Sequence, residues 1–347
     1  MATPRCSRAT RFLCQSRRVL VSPSLTVPIQ YQFTRFAHRQ AGRPIRKASP
    51  SPSSDAAVAR LQKLREPITL EGVPLSRFEV AVASNNCPFT LASAAEYYSA
   101  AHKFVDEARS RESPLQVDIS KLEGVSAPVL HDAACILSSF YPQRILQPVV
   151  AAMLMACSRS GHDPSTITLT NAIIQANLYG QSTQLKPVEE RFKRIVTVAK
   201  NPDALTVEGM RRIGQGSPES AIPLLNHALS LNGGQDFEWK ALCRYAIAQA
   251  DVKLNRFDKA IPVLEELAAE GLPIATVPLA HALRSRNRTL AKNHYEYAAG
   301  FYDEQAIKAL VEMETEDAAA AKDSASKTKH LNLAAEWSRL LDKKATV

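Results

Sequence analysis

The sequence predicts an all-α protein, and three observations support this fold class. The chain of 347 residues contains only 12 glycines and 6% aromatic residues, a composition that favours helices over sheets. Apolar residues recur with helical spacing in segments of roughly 11–16 residues, separated by short turns rich in Pro, Gly and Asn. No segment alternates over many residues as a half-buried strand would. Short helices joined by short turns form antiparallel hairpins, and serial hairpins stack into an α-solenoid.

The first part of the chain carries most of the net charge of +9. Ten of the 43 basic residues and none of the 34 acidic residues precede Asp55, which leaves the rest of the chain with 33 basic residues and a net charge of −1. The sequence pI of about 9.3 therefore belongs to the N-terminus and does not indicate a basic binding face in the body of the protein.

Residues 1–37 have the composition of a mitochondrial presequence. They are rich in Arg and Ser, contain no acid and include short apolar clusters. Thr34-Arg35-Phe36-Ala37 resembles an arginine-guided processing site, which predicts cleavage near Phe36 or Ala37 and a matrix location. A disordered basic arm that binds RNA remains an alternative. A secretory signal is disfavoured because no uninterrupted apolar core is present.

Two segments separate the presequence from the main helical region. Residues 38–54 are Pro- and Ser-rich and are expected to form a disordered linker. Residues 55–127 are expected to form an N-terminal helical segment. Within it, the pattern predicts helices from Asp55 to Pro67 and over 89–110, an ambiguous stretch at 68–87, and a loop near 114–128.

Residues 128–347 are predicted to form a single helical repeat domain. A low-complexity insertion at 314–329 is expected to loosen its last repeat. The longest apolar run, Val149–Cys157, has nine residues, about half of what a membrane span needs. The predicted helices lie near 129–140, 145–159, 166–179, 187–200, 203–213, 218–231, 237–254, 257–270, 276–285, 289–299, 303–315 and 329–342.

The segment Lys240–Gly271 resembles a tetratricopeptide repeat, in which small residues allow two helices to cross closely and large residues fill the flanks. The segment 216–229 repeats its second half, since Ala221 lies 39 residues before Ala260 and each alanine is followed by Ile-Pro. We expect these prolines in the first turn of each helix, where a missing N–H costs little. The residues that carry the resemblance are Ile247, Ala248, Asn255, Arg256, Phe257, Ala260, Leu264 and Leu267.

A second match involves two similar heptapeptides, HYEYAAG from His294 and HLNLAAE from His330. They place Ala298-Ala299 and Ala334-Ala335 36 residues apart. With Ala291, Tyr295, Asp303, Ala306 and Leu310, the first resembles the Sel1-like variant of the tetratricopeptide repeat, although Phe301-Tyr302 is inserted before Asp303. The resemblance covers roughly residues 200–342 and implies a right-handed α-solenoid.

A rival repeat family remains open. Gly161-His162-Asp163-Pro164 with Thr168 resembles the loop-to-helix joint of pentatricopeptide repeats, and so does Asn201-Pro202-Asp203 with Thr206. Such repeats bind RNA one base at a time. The same residues also form an ordinary helix start, and the body of the chain is about neutral.

No residue pattern predicts catalysis, a cofactor or a metal. The sequence contains no Gly-rich phosphate loop, no nucleophile motif and no convincing pair of catalytic carboxylates. Cys87, Cys135, Cys157 and Cys243 form no metal-binding pair, and buried thiols explain them best. His294 and His330 occupy a shared repeat position, so packing explains them better than metal binding does. We expect neither enzymatic activity nor a small-molecule substrate.

Two surfaces are candidate binding sites. Tetratricopeptide arrays present the first helix of each hairpin along a concave groove, and the resemblance places Leu242, Tyr245, Gln249 and Lys253 there, facing a client peptide or partner helix. Ordinary surface exposure and packing are the alternative explanation for each of these residues. The second candidate is a basic patch that would bind an anionic partner, either RNA or a cardiolipin-rich membrane surface. A solvated helix face is the alternative explanation for this patch. Its residues are Arg191, Lys193, Arg194, Arg211 and Arg212.

The sequence also resembles fungal mitochondrial helical-repeat proteins that assist cytochrome oxidase biogenesis, notably the export of a mitochondrially encoded subunit. This resemblance implies a non-catalytic adaptor that binds a polypeptide in the matrix, with peripheral association with the inner membrane. An RNA-binding factor of mitochondrial gene expression or of the mitochondrial ribosome is the alternative. An enzyme built on a helical scaffold is a third hypothesis.

Overall fold

A computed structural model describes residues 69–84, 89–111, 113–140 and 147–345. Within these ranges the protein is all-helical, with fourteen α-helices and no strand, which confirms the predicted fold class. The predicted presequence at 1–37, the predicted linker at 38–54, the helix expected from Asp55 and the residue Cys87 lie outside the described residues. In the described residues, no helix combines the length and the apolar composition needed to cross a membrane.

The chain divides into two compact units, Met1–Lys200 and Asn201–Val347. The sequence had placed this boundary between residues 127 and 128. The structure differs because residues beyond 128, such as Leu130 and Met153, share one apolar core with Phe78 and Tyr97. Residues 128–200 therefore belong to the first unit.

The first unit contains six described α-helices and ends in a π-helical turn, Ile195–Ala199, where a continuous helix over 187–200 was expected. Two 3₁₀ turns, Pro114–Gln116 and Ile119–Lys121, occupy the expected loop. The helices are α1 (Leu75–Ala83), α2 (Ala94–Arg109), α3 (Ala127–Ser138), α4 (Gln147–Arg159), α5 (Asp163–Gln175) and α6 (Lys186–Arg194).

Local chemistry explains how α2 begins and where it packs. The Ser93 side chain accepts a hydrogen bond from the Glu96 amide while the Glu96 carboxylate accepts one from the Ser93 amide, which forms a capping box. One turn into α2, the buried Tyr97 hydroxyl donates to Asp132 of α3 at 2.9 Å. The Phe78 ring of α1 packs edge-on against Tyr98 of α2 at a centroid distance of 5.5 Å.

The second unit contains eight described helices. Asn201 caps the first of them by accepting hydrogen bonds from the amides of Asp203 and Ala204. The helices are α7 (Pro202–Gly214), α8 (Pro218–Ser230), α9 (Lys240–Lys253), α10 (Phe257–Ala269), α11 (Thr276–Leu283), α12 (Arg288–Ala299), α13 (Glu304–Ala320) and α14 (Ser324–Ala345).

The second unit repeats one packing arrangement. Each helix packs against the next helix along the chain, and α9 also contacts α7 and α11. In α8, α10 and α12, buried residues at positions i, i+4 and i+7 form one apolar stripe. These stripes are Ala221, Leu225 and Ala228 in α8, Ala260, Leu264 and Leu267 in α10, and Ala291, Tyr295 and Ala298 in α12.

Two details of the repeats differ from the expectation. Pro223 and Pro262 lie at the sixth residue of α8 and α10 rather than in the first turn, so each removes one hydrogen bond inside its helix. The segment 314–329 is helical except at residues 321–323, because α13 continues to Ala320 and α14 begins at Ser324. Buried Glu314 and Ala318 hold this segment against its neighbours.

Candidate functional site

The groove predicted on α9 is largely occupied by packing, and Tyr245 is its clearest correction. The Tyr245 side chain is only 2% exposed, and Gln249 Nε2 donates to its hydroxyl oxygen at 3.4 Å. Burial raises the pKa of Tyr245 far above its ordinary value. Tyr245 is therefore a core residue and cannot contact a partner directly.

Lys253 also has a structural role. Its Nζ donates to the Ile213 carbonyl at 3.0 Å, which adds a second hydrogen bond to a group in the last turn of α7 that already accepts from the Gly216 amide. Burial lowers the pKa of Lys253. Leu242 is half-buried in the same helix. Of the four predicted groove residues, only Tyr245 is buried, since Leu242 and Gln249 are half-buried and Lys253 is exposed.

The predicted basic patch is distributed over two units, and its members differ in their environment. Arg211 and Arg212 of α7 both pair with Glu208, at 2.6 Å and 3.0 Å. Burial alone would raise the pKa of Glu208, but the two guanidinium groups outweigh that effect and lower it. One carboxylate thus faces two guanidinium groups, so this cluster keeps a net positive charge.

The other three basic residues belong to the first unit. Arg191 pairs with Asp163 at the start of α5 at 2.5 Å and donates to the Gly161 carbonyl, so it links α6 to α5. Lys193 and Arg194 are exposed at the end of α6. Of the five predicted residues, these two form no ion pair with a described acidic residue, whereas the other three do.

The most prominent apolar surface lies on α12 and the turn that follows it. Leu290, Tyr297, Phe301 and Tyr302 are between 36% and 59% exposed, and we call them the α12 aromatic surface. The rings of Tyr297 and Phe301 pack edge-on with centroids 5.2 Å apart. Leu290 and Tyr297 are seven residues apart and therefore share one side of α12, and Phe301 in the following turn packs against Tyr297.

Sequence reasoning missed this surface although a signal was present. The sequence pattern indicates only that Phe301-Tyr302 is inserted into a repeat. The structure places Tyr302 at a positive φ of 58°, immediately before Asp303 caps α13. The insertion thus displays two aromatic residues at a helix junction.

The two histidines of the repeated heptapeptides have different environments. His330 Nδ1 lies 2.7 Å from Glu314 Oε2, whereas burial lowers the pKa of half-buried His294 and the Glu265 charge partly opposes that effect. The alanines differ as well, since Ala298 and Ala299 are both buried while Ala335 is exposed. The heptapeptides are therefore only partly equivalent in structure.

Glu314 forms an ionic cluster that joins three helices. It is 1% exposed in α13, and its carboxylate accepts hydrogen bonds from Lys292 of α12 and His330 of α14. Potential ligand atoms of Glu314, Asp317 and His330 lie within 4.8 Å of one another. However, Asp317 already accepts hydrogen bonds from Arg288, so both carboxylates have positive partners. The arrangement is best interpreted as a set of ion pairs that holds α12, α13 and α14 together, and we call it the Glu314 clasp.

A buried polar network crosses the first unit. The Ser165 hydroxyl of α5 lies 3.0 Å from His131 Nδ1 and 2.8 Å from His162 Nδ1, and Ser165 is fully buried. Burial lowers the pKa of His131 to about 4, and burial raises the pKa of the nearby Cys157 thiol to about 12. A protonated, buried thiol is a poor nucleophile. The contact between Ser165 and His131 links α3 to α5.

In the part of the chain that the structure describes, two surfaces thus keep chemically distinctive groups exposed. One is the α12 aromatic surface, and the other is the end of α6 with Lys193 and Arg194. No protein-family model matches the chain, and no curated protein matches its sequence.

Proposed function

We propose that this protein is a non-catalytic helical-repeat adaptor that binds a polypeptide partner through the α12 aromatic surface. The exposure of Tyr297, Phe301 and Tyr302 at one helix end carries this proposal. Aromatic residues are enriched among the residues that dominate protein–protein binding energy, because they bury a large area at a low cost in conformational entropy.

The packing of the second unit supports a scaffold role. Successive helices contact their neighbours in order, and the buried stripes of α8, α10 and α12 repeat. This favours a right-handed solenoid of tetratricopeptide or Sel1-like hairpins, an architecture that presents extended surfaces to partners. The partner class proposed here is a polypeptide segment with apolar side chains.

The cellular setting is proposed on the sequence alone. The acid-free N-terminal segment supports import into the mitochondrial matrix, and the resemblance to cytochrome oxidase biogenesis proteins supports a role in assembling that complex. The RNA-binding alternative is weaker, because Arg191, Arg211 and Arg212 are already paired with acidic residues of their own units.

The proposal is tested by quantitative affinity purification of the full chain and of Tyr297→Ser/Phe301→Ser. Loss of two aromatic contacts should weaken partner binding by about 30-fold or more. Both side chains are exposed, so the melting temperature should stay nearly unchanged. Leu331→Ser serves as the matched control, because Leu331 is exposed at 47% elsewhere in the unit. Equal partner recovery from the double variant and the wild type would refute the proposed surface.

A further inference from the structure

The end of α6 and the π-helical turn after it combine positive charge with an exposed apolar residue. Val198 is 79% exposed, more than any other large hydrophobic residue among those described as exposed. Lys193, Arg194 and Lys200 surround it in sequence, and all three are exposed. We call these four residues the α6 cationic tip.

The three cations of the tip differ from most of the arginines that the structure describes. Among the described residues, no carboxylate oxygen lies within 4.0 Å of their side-chain nitrogens. Arg191, by contrast, is one turn earlier and pairs with Asp163. The nearest acid along the helix, Glu190, is exposed and forms no ion pair with Lys193 or Arg194 at that distance. The positive charge of the tip is therefore not neutralised locally.

The backbone presents Val198 outward from a fixed base. Ile195, the first residue of the π-helical turn, is buried in the structure and anchors the turn. Lys200 then adopts a left-handed conformation with φ of 49°, and its amide donates to the Ile195 carbonyl. Val198 thus stands on a closed turn that is attached to the core at one end.

We propose that the α6 cationic tip docks on an anionic phospholipid surface. Lysine and arginine side chains bind headgroup phosphates, and an apolar side chain between them enters the boundary between headgroups and acyl chains. The tip belongs to the first unit, so this inference stands independently of the polypeptide surface on α12.

The chemistry of the tip favours a lipid surface over other anions. Single-stranded RNA is bound by aromatic side chains that stack on bases, and residues 193–200 contain no aromatic residue. A free phosphate ion would be satisfied by the cations alone and would leave Val198 exposed to water. A membrane surface, in contrast, accommodates both the charges and the valine.

The test uses the full chain with an environment-sensitive fluorescent amino acid in place of Val198. A local probe is needed because the ten cations before Asp55 would bring any full-length chain to anionic vesicles. We expect a blue shift when vesicles of phosphatidylcholine with roughly one fifth cardiolipin are added. The same probe at Leu331 should not respond. No shift at position 198, or an equal shift with pure phosphatidylcholine, would overturn the proposal.

Charge reversal provides the second part of the test. Lys193→Glu/Arg194→Glu/Lys200→Glu should raise the lipid concentration needed for the shift by about 100-fold, because each basic residue near the surface contributes roughly fivefold. The matched control, Lys322→Glu/Lys327→Glu/Lys329→Glu, changes the net charge equally at other exposed lysines. Equal losses in both variants, or a blue shift of equal size at position 198 when poly(U) RNA or inorganic phosphate replaces the vesicles, would also contradict lipid docking.

Discussion

His131 lies between Ser165 and Cys135 in the first unit, and this position fixes its charge. Burial and the neighbouring His162 lower its pKa from the ordinary value of 6.5 to about 4. The neutral form is therefore favoured in the folded state. The stability contributed by the neutral imidazole of His131 is fully present above pH 6.5. As the pH falls towards 4, the free energy of unfolding decreases by about 3 kcal/mol.

Replacing His131 by Asn should remove this part of the pH dependence while keeping a partner for Ser165. Urea unfolding followed by far-UV circular dichroism between pH 7.5 and 4.5 measures it. Both tryptophans, Trp239 and Trp337, belong to the second unit, so their fluorescence identifies that unit's transition. The exposed His227→Asn variant is the control. An unchanged pH slope in His131→Asn would contradict the assignment.

Glu314 should be the most sensitive acidic residue of the second unit. Glu314→Gln leaves Lys292 and His330 without a negative partner, which should destabilise the unit by about 3 kcal/mol. Burial would raise the pKa of Glu314, but the hydrogen bonds from His330 and Lys292 lower it overall. The clasp therefore stabilises the fold above pH 4.5 and weakens as the pH falls through the lowered pKa.

Tryptophan fluorescence during urea unfolding measures the effect of Glu314→Gln directly. The exposed Glu296→Gln substitution should change the free energy of unfolding by less than about 0.5 kcal/mol. Equal stability of the two variants would show that the cluster does not clasp the helices.

At the scale of single residues, the sequence predicted only part of the roles that the structure shows. The burial of Cys157 followed from its apolar helical neighbourhood, whereas Cys135, for which the same pattern predicted burial, is only half-buried. The roles of Tyr245 and Lys253 did not, because α9 contacts α7, α10 and α11, and helical spacing alone cannot tell which side of such a helix stays exposed. Lys253 was missed for a related reason, since its partner is a backbone carbonyl 40 residues away in sequence.

At the scale of helices, the sequence was more informative. The helices predicted at 237–254 and 257–270 are observed at Lys240–Lys253 and Phe257–Ala269, because Pro, Gly and Asn mark the joints. The helix expected at 166–179 begins three residues earlier, since Asp163-Pro164 forms its first turn. The region after Glu314 was misjudged because an alanine-rich, polar segment has weak periodicity yet strong helix propensity.

The crossing of α7 and α8 depends on the absence of a side chain at Gly209. A Cβ added there would lie 2.5 Å from Leu225 Cδ2 and 2.6 Å from Cγ. Leu225 is fully buried in the repeated stripe, so it has little room to move. Gly209→Ala should therefore lower the free energy of unfolding by about 1–3 kcal/mol.

Gly214 offers a matched control in the same helix, because an added Cβ there would meet nothing within 4 Å. Gly214→Ala should be neutral or stabilise the unit by up to about 1 kcal/mol. The two variants are compared by urea unfolding monitored by tryptophan fluorescence. A Gly209→Ala protein as stable as Gly214→Ala would rule out the close helix crossing.

At the scale of the whole molecule, the boundary between the basic and the neutral part of the chain differs from the boundary between the two packing units. The ten cations before Asp55 account for the positive net charge, whereas the packing boundary falls after Lys200. The charge division was readable from the sequence. The packing boundary was not, because a continuous series of helical segments gives no local sign of which helices share a core.

The acid-free N-terminus leads to a prediction about localisation. Deleting residues 1–37 should leave the protein outside mitochondria, because the basic presequence that receptors and the membrane potential act on would be lost. Fractionation and protease protection of cells producing the truncated chain measure this. The control is the full chain expressed at the same level. Import of the truncated chain would contradict the presequence assignment.

The central claim is that the α12 aromatic surface binds a polypeptide. Its most direct test is a photo-crosslinking amino acid at Tyr297 in the full chain, with His227 of α8 as the exposed control position. We predict a discrete protein adduct from position 297 that is absent from position 227 and is lost in the Phe301→Ser background. Adducts of equal yield from both positions, or adducts to RNA alone, would contradict the claim.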